Sequence, residues 1–164
     1  MKVEKQFRVL YKPIVVLITA ILLVAADQII KRYVLLYLKP VGAITVINGL
    51  LDLAYLENTG AAFGTLQNST LTLLVLSCIT YLAIVLLIFK YKNHTFFSYA
   101  SATLLLGGGL GNMLDRICHG FVVDFIYVLF FPFVFNFADC CITVGAMLFI
   151  VHVMLTTREE KSDG

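Results

Sequence analysis

The chain has 164 residues, 60% of them hydrophobic and 13% charged, with a formal net charge of +2. Soluble domains carry about 25% charged and about 45–50% apolar residues, so a mean hydropathy of +0.95 excludes a chain folded for water and makes lipid its solvent. So small a net charge gives no electrostatic footprint for nucleic acid, and the length fits a single domain, 1–164.

Four apolar stretches read as membrane spans, because a helix needs about 20 residues to cross a hydrocarbon core of about 30 Å. The first covers about 14–36, from Ile14 through Ala26 and on past Asp27. Lys2, Lys5, Arg8 and Lys12 precede it, and Val24-Ala25-Ala26 closes its apolar core. Removal of Ile14–Ala26 as a secretory signal is therefore a competing reading. An outward segment follows at about 40–68. There Ala43-Ile-Thr-Val-Ile leads to Asn48-Gly49, a hairpin turn signal, and Leu50–Leu56 can return as the partner strand. The second span, about 70–89, carries no charge.

The third span, about 96–114, is rich in small residues and holds Gly107-Gly-Gly-Leu-Gly111. Such glycines let another helix or a peptide backbone come close, and without a Lys-Ser/Thr ending they are no phosphate loop. The second outward segment, about 115–136, is apolar from Phe125 to Phe135. It is expected to dip into the interface or pack on the bundle as a loop. The fourth span covers about 137–157. The fold class expected is an integral membrane protein, mainly α, with a four-helix bundle and a small extracytoplasmic β-sheet or hairpin.

Basic residues orient such a bundle. Lys2, Lys5, Arg8, Lys12, Lys90, Lys92, Arg158 and Lys161 share one side if both termini are cytoplasmic, and Lys31, Arg32, Lys39 and Arg116 take the other, which divides the twelve as eight to four. The cysteines, Cys78, Cys118, Cys140 and Cys141, form neither a C-x-x-C pair nor a paired zinc spacing. No metal or cofactor is expected.

Ionisable groups within or beside a bilayer are functional suspects. By this topology Asp27, Asp115, Arg116, Asp124 and Asp139, with Asn58, Asn112 and Asn136, converge on one level toward the outer face. Asp27 and Lys31, four apart, share a helix face and can neutralise each other. Asp115 and Arg116 can end the third span as interfacial anchors, or Arg116 can grip a carboxylate with two N–H groups. Asp139 opens the fourth span, where a carboxylate suits the helix dipole, so a helix cap is its plain reading. Asp124, within Phe121-Val-Val-Asp-Phe-Ile126, has no such excuse. Two carboxylates brought together share a proton and can perform acid–base hydrolysis of a peptide bond. His94, His119 and His152 are spread along the chain, and no serine with a histidine partner is expected to compete. A small proton-coupled transporter or channel is the alternative from another class, and a purely structural scaffold leaves Asp124 unexplained.

At these residues the chain resembles the bacterial lipoprotein signal peptidases, signal peptidase II. The likeness lies in ordered blocks: Asp27-Gln-Ile-Ile-Lys31, Glu57-Asn-Thr-Gly-Ala-Ala-Phe-Gly64, Gly108 to Arg116, Gly120 to Ile126, and Phe135-Asn-Phe-Ala-Asp139 through Gly145. The resemblance implies an aspartyl endopeptidase of the bacterial inner membrane that cuts prolipoproteins just before a diacylglyceryl-modified cysteine. It implies four spans with both termini cytoplasmic and a site near the outer face, with membrane lipids and prolipoprotein as partners. A monomer is expected. It makes Asp124 and Asp139 the catalytic pair, has Asn58, Gly108, Asn112, Arg116 and Asn136 bind substrate or brace the site, and leaves Asp27, Lys31 and Asp115 as structural supports. Ile30 and Cys140 stand where the family tends to carry hydroxyl residues, and no tryptophan interrupts Phe125–Phe135. Support of the pair and substrate fit are where this chain departs from the pattern.

Overall fold

The computed structural model describes residues 2–60, 69–90 and 93–162. Four long helices, α1 (Lys2–Tyr33), α2 (Thr70–Lys90), α3 (Phe96–His119) and α4 (Phe137–Ser162), are joined by strands β1 (Ala43–Ile47), β2 (Leu51–Asn58), β3 (Val122–Val128) and β4 (Val134–Phe135). The fold is thus mainly helical with a small antiparallel sheet. Among the described residues, three segments are long and apolar enough to cross a membrane: Tyr11–Leu38, Thr70–Lys90 and Phe137–Thr157. Their outer faces expose Ile18, Ile21, Leu71, Leu82, Met147 and Phe149, a surface suited to acyl chains and not to water.

Helix α3 has the length of a span at 24 residues, but protein covers it. It packs against α1, α2 and α4. Successive helical residues point about 100° apart, and the three consecutive glycines use this to admit three neighbours. A Cβ on Gly107 would lie 2.7 Å from the Cβ of Leu23 on α1, one on Gly108 would strike the Ala138 carbonyl of α4, and one on Gly109 would enter the Tyr81 ring of α2. The helix runs to His119 and not to 114. Gly120, at φ 81°, closes it by donating its N–H to the Arg116 carbonyl at 3.1 Å, the usual left-handed glycine stop. Asp115 and Arg116 are therefore interior helical residues and not the end of the helix.

The first helix passes without a break through Ala26 and Asp27 and loosens into a π turn at Val34–Leu38 before leaving for the sheet. Its segment Ile14–Ala26 is built into the bundle, with Val16 and Ala20 packed among Ala102, Leu106 and Ile88. The hairpin forms around Asn48-Gly49, where Gly49 has φ 73° and Leu50 N–H donates to the Ile47 carbonyl at 3.0 Å. Beyond the turn, Lys39 and Tyr55 both donate to the Glu57 carboxylate, at 3.0 and 2.7 Å, and so fasten the end of the π turn to β2.

The expected loop over 115–136 is the main difference. It supplies the end of α3 and the strands β3 and β4, which extend the hairpin to a four-stranded antiparallel sheet in the order β1-β2-β3-β4. Part of its apolar surface is buried: Val123 and Phe125 pack with Val34 and Leu38, flanked by Ile30, Leu53 and Phe137, while Leu129, Phe130 and Phe131 stay exposed. The β2–β3 register pairs Leu53 with Ile126 but Leu56 with Asp124, so two residues, Ala54 and Tyr55, stand against Phe125 alone. This bulge changes the parity of β2. Without it, position 57 would align with Val122; with it, Asn58 does, and Asn58 joins the face of Asp124. Of the block Glu57–Gly64, residues 61–64 lie outside the described residues.

Gly108→Ala is expected to force α3 from α4 and lower stability by about 1–3 kcal/mol, read as a fall in the thermal midpoint of the detergent-solubilised protein. An unchanged midpoint would refute the close helix contact.

Candidate active site

A buried ion cluster underlies the site. Asp27 and Lys31 lie one turn apart on α1, and Lys31 Nζ sits 2.9 Å from both Asp27 Oδ2 and Asp115 Oδ2 of α3. Gly111 makes room, because a Cβ there would stand 2.5 Å from Asp27 Oδ2. Asp115 also accepts from Gln28 Nε2 at 2.8 Å and from the Val123 N–H at 3.0 Å. The third Lys31 contact goes to Asn112 Oδ1 at 2.8 Å, so each of the three ammonium N–H groups has an acceptor. Lys31 is only 2% exposed, and this full satisfaction is what makes its charge tolerable there.

Above this cluster the amides lead to the two carboxylates. Asn112 Nδ2 donates to Asp139 Oδ1 at 2.8 Å. Asn136 Nδ2 donates to Asp124 Oδ1 at 2.6 Å and to Asn112 Oδ1 at 3.1 Å. Asn58 Nδ2 donates to the other Asp124 oxygen at 2.8 Å and, through its own Oδ1, accepts the Gly60 N–H at 3.0 Å. Asn136 is also the residue just before α4, and its Oδ1 accepts the Asp139 N–H at 2.9 Å while Asp139 Oδ2 accepts the Asn136 N–H at 3.1 Å. That exchange is a capping box. Asp139 is therefore a helix-capping carboxylate and a neighbour of Asp124 at once, each aspartate bound to a different part of Asn136.

The two carboxylates have different settings. Asp124, on β3, is 1% exposed, and Asp139 at the start of α4 is half-buried. Burial pushes the Asp124 carboxyl up to about 6; the Asp139 charge adds to the rise, while hydrogen bonds from Asn58 and Asn136 and the Lys31 charge oppose it.

Among the described residues Arg116 grips no carboxylate. Its Nη2 donates to the Gly60 carbonyl at 2.9 Å and its Nη1 to the Asn112 carbonyl at 3.3 Å, so it ties the segment after β2 to α3. Gly108 lies in the α3–α4 contact beside Ala138, one residue from Asp139. Asp115 is a buried partner of Lys31 and the β3 backbone, not an interfacial anchor. Gln28 and Gly60 stand in the sequence blocks but were not singled out; no spacing rule foretells contacts from α1 to residue 115 or from Gly60 to residue 116. Ile30 fills the apolar cluster under the sheet, where a hydroxyl would have no evident use. All four cysteines are free thiols.

A serine–histidine contact does occur, between neighbours on one helix end. His94 Nδ1 lies 3.1 Å from Ser98 Oγ, and His152 Nδ1 lies 3.0 Å from Thr95 Oγ1. Ser98 Oγ spends its proton on the Thr95 carbonyl at 2.9 Å, so the group secures the first turn of α3. That turn is some 17 residues from Asn112, about 25 Å along the helix.

The family model described as Signal peptidase (SPase) II matches residues 19–155, a range holding every residue of this cluster. The chain belongs to the signal peptidase II family. Among relatives, the lipoprotein signal peptidase of Caldanaerobacter subterraneus subsp. tengcongensis is 43% identical over 122 residues, 74% of this chain and 83% of that protein. The lipoprotein signal peptidase of Streptococcus pneumoniae strain R6 is 33% identical over 145 residues, 87% of this chain and 94% of that protein. A bacterial membrane enzyme solved by the in meso method at 2.3 Å resolution superposes with a TM-score of 0.79 at 31% identity, covering 87% of this chain and 89% of its own. As a signal peptidase II the chain is of a protease family, and the multi-pass helical body agrees with the membrane setting of that neighbour.

Because Asn136 both caps α4 and bridges the aspartates, its two roles separate by substitution. Asn136→Ala is expected to lose about 1 kcal/mol of stability and Asn136→Ser to keep most of it, compared by thermal unfolding in detergent. Equal losses would mean the cap contributes little.

Proposed function

We propose that this signal peptidase II is an aspartyl endopeptidase that removes the signal peptide of prolipoproteins, cutting before a cysteine that carries diacylglycerol. The observation that carries this reading is Asn136, whose side chain holds Asp124 while its backbone N–H holds Asp139. The names of the relatives support the substrate class and leave the transporter reading without support.

The pair works with one proton between its two carboxyls. The ionised member takes a proton from water as the water oxygen bonds to the scissile carbonyl carbon. The protonated member gives its proton to the carbonyl oxygen, forming a neutral tetrahedral diol. As the diol collapses, the C–N bond breaks, its electron pair takes the proton from the carboxyl that received it from water, and the other carboxylate takes a diol hydroxyl proton as the new C=O forms, which restores the one-proton pair. Asn58, Asn112 and Asn136 fix the carboxyl planes. Arg116 holds the Gly60 backbone, and so shapes the wall along which an extended substrate would run. Lys31, Asp27 and Asp115 support this assembly from beneath.

The basic-residue bias favours cytoplasmic termini, which would set the pair near the outer face of a bacterial plasma membrane, with α3 as the fourth span. The scissile bond of a lipid-anchored precursor lies at that level, since its acyl chains and apolar signal segment remain in the bilayer. One chain supplies both aspartates and their bracing groups, consistent with a working monomer.

Asp124→Asn and Asp139→Asn are each expected to lower cleavage of a lipidated prolipoprotein by about 1000-fold or more while the protein stays folded and monodisperse. Near-normal turnover by either variant refutes the pair. A carboxyl that keeps its proton to about 6 loses it above that pH, and the single-proton form disappears. For the free enzyme kcat/KM should therefore fall as pH rises beyond about 6, by about tenfold per unit well above it. A value still climbing from pH 6 to 9 would contradict the assignment.

A further inference from the structure

An Asn side chain presents a carbonyl on one side and an NH2 on the other, and only one arrangement serves Asp139. Asn112 Nδ2 donates to Asp139 Oδ1 at 2.8 Å, while Asn112 Oδ1 receives Lys31 Nζ at 2.8 Å and Asn136 Nδ2 at 3.1 Å. An ammonium has donors and no acceptor, so Lys31 can face only the carbonyl. A flipped amide would set NH2 against the ammonium and against the Asn136 NH2 and turn its carbonyl oxygen toward the Asp139 carboxylate, three repulsive contacts in place of three bonds. Lys31 also reaches Asp124 by a second path. It holds Asp115 Oδ2 at 2.9 Å, and the same oxygen accepts the N–H of Val123, the residue before Asp124, at 3.0 Å.

We propose that Lys31 is a positioning residue for the carboxylate pair: its ammonium orients Asn112 toward Asp139 and, through Asp115, sets the backbone that carries Asp124. This rests on the reading of Asp124 and Asp139 as the working pair, and it goes beyond a supporting role in the fold. One buried cation would thus hold both halves of the pair, one through an amide and one through a carboxylate. The charged groups around it are Asp27 on its own helix, Asp115 and Arg116 on α3, Asp124 on β3 and Asp139 on α4. Four carboxylates face two cations, so loss of Lys31 leaves the pair in a more negative field, which favours protonated carboxyls.

The test is steady-state cleavage of a lipidated prolipoprotein by purified, folded protein in detergent, across pH 4–9. Lys31→Met should lower kcat at least tenfold, leave KM within about twofold, and move the kcat/KM profile to higher pH. Because that variant buries Asp27 and Asp115 without their counter-ion and can fail to fold, the triple variant Lys31→Met, Asp27→Asn, Asp115→Asn is assayed beside it. It removes the stranded charges and should still show reduced kcat with unaltered KM. If the folded variants turn over at the wild-type kcat and lose only thermal stability or yield, Lys31 is a structural support and the proposal is overturned. The wild-type control separates the two readings: an inactive wild type defeats the proposed function itself, whereas an active wild type with active Lys31 variants defeats only this inference.

Discussion

An ammonium group in a low-dielectric interior is tolerable only when every proton on it has an acceptor, and much of this molecule is arranged around that demand at Lys31. The desolvation penalty of a buried ion is several kcal/mol even after relaxation. Asp27 one turn away, Asp115 across the α1–α3 contact and the Asn112 carbonyl together meet it. Those partners in turn require Gly111 to be bare, so that α1 can bring Asp27 against α3. They also require α3 to continue past Asp115, so that Val123 of the following strand can complete the same carboxylate. This cluster is one of the places where the sheet and the helices meet, beside the apolar contact of Val123 and Phe125 with Val34 and Leu38.

Much of the fold was legible because its signals are local. Hydropathy marks the three strongest spans, and Asn48-Gly49 marks the hairpin with a glycine that does adopt positive φ. What was not legible is non-local or ambiguous in period. Strand β3 runs Val122-Val-Asp-Phe with all four residues buried, so it lacks the alternation by which a half-buried strand is recognised. Polar residues at 115 and 116 look like a helix reaching water, which predicts too early an end for α3; the signal that marks its end is Gly120, a C-terminal stop. The β2 bulge has no sequence signature, yet it decides that Asn58 and not its neighbour faces Asp124.

The site was legible to a similar depth. Asp124 was conspicuous as a carboxylate in an apolar strand with no cation beside it in sequence. For Asp139 the sequence poses a choice between a helix cap and a chemical role; the geometry shows the cap and leaves room for the second, because the capping box uses one oxygen and the amide of Asn112 the other. The charge of Arg116 suggests either an interfacial anchor or a carboxylate clamp. Its actual partners are backbone carbonyls, which no side-chain pattern announces. The pair is also unequal: Asp124 is enclosed on a strand, while Asp139, on a helix end, retains some exposure.

The run Gly107-Gly108-Gly109 has a consequence for how this chain can change. Each glycine is a notch cut for a different helix, and the notches are set about 100° apart by the screw of α3. Adding or deleting one residue upstream in that helix would turn all three notches away from their neighbours together and shift Asn112, Asp115 and Arg116 by about 1.5 Å along the axis. The lipid-facing sides of α1, α2 and α4 can exchange one apolar residue for another with little effect. Helix α3 behaves instead like a key whose cuts on three sides must all align before it turns.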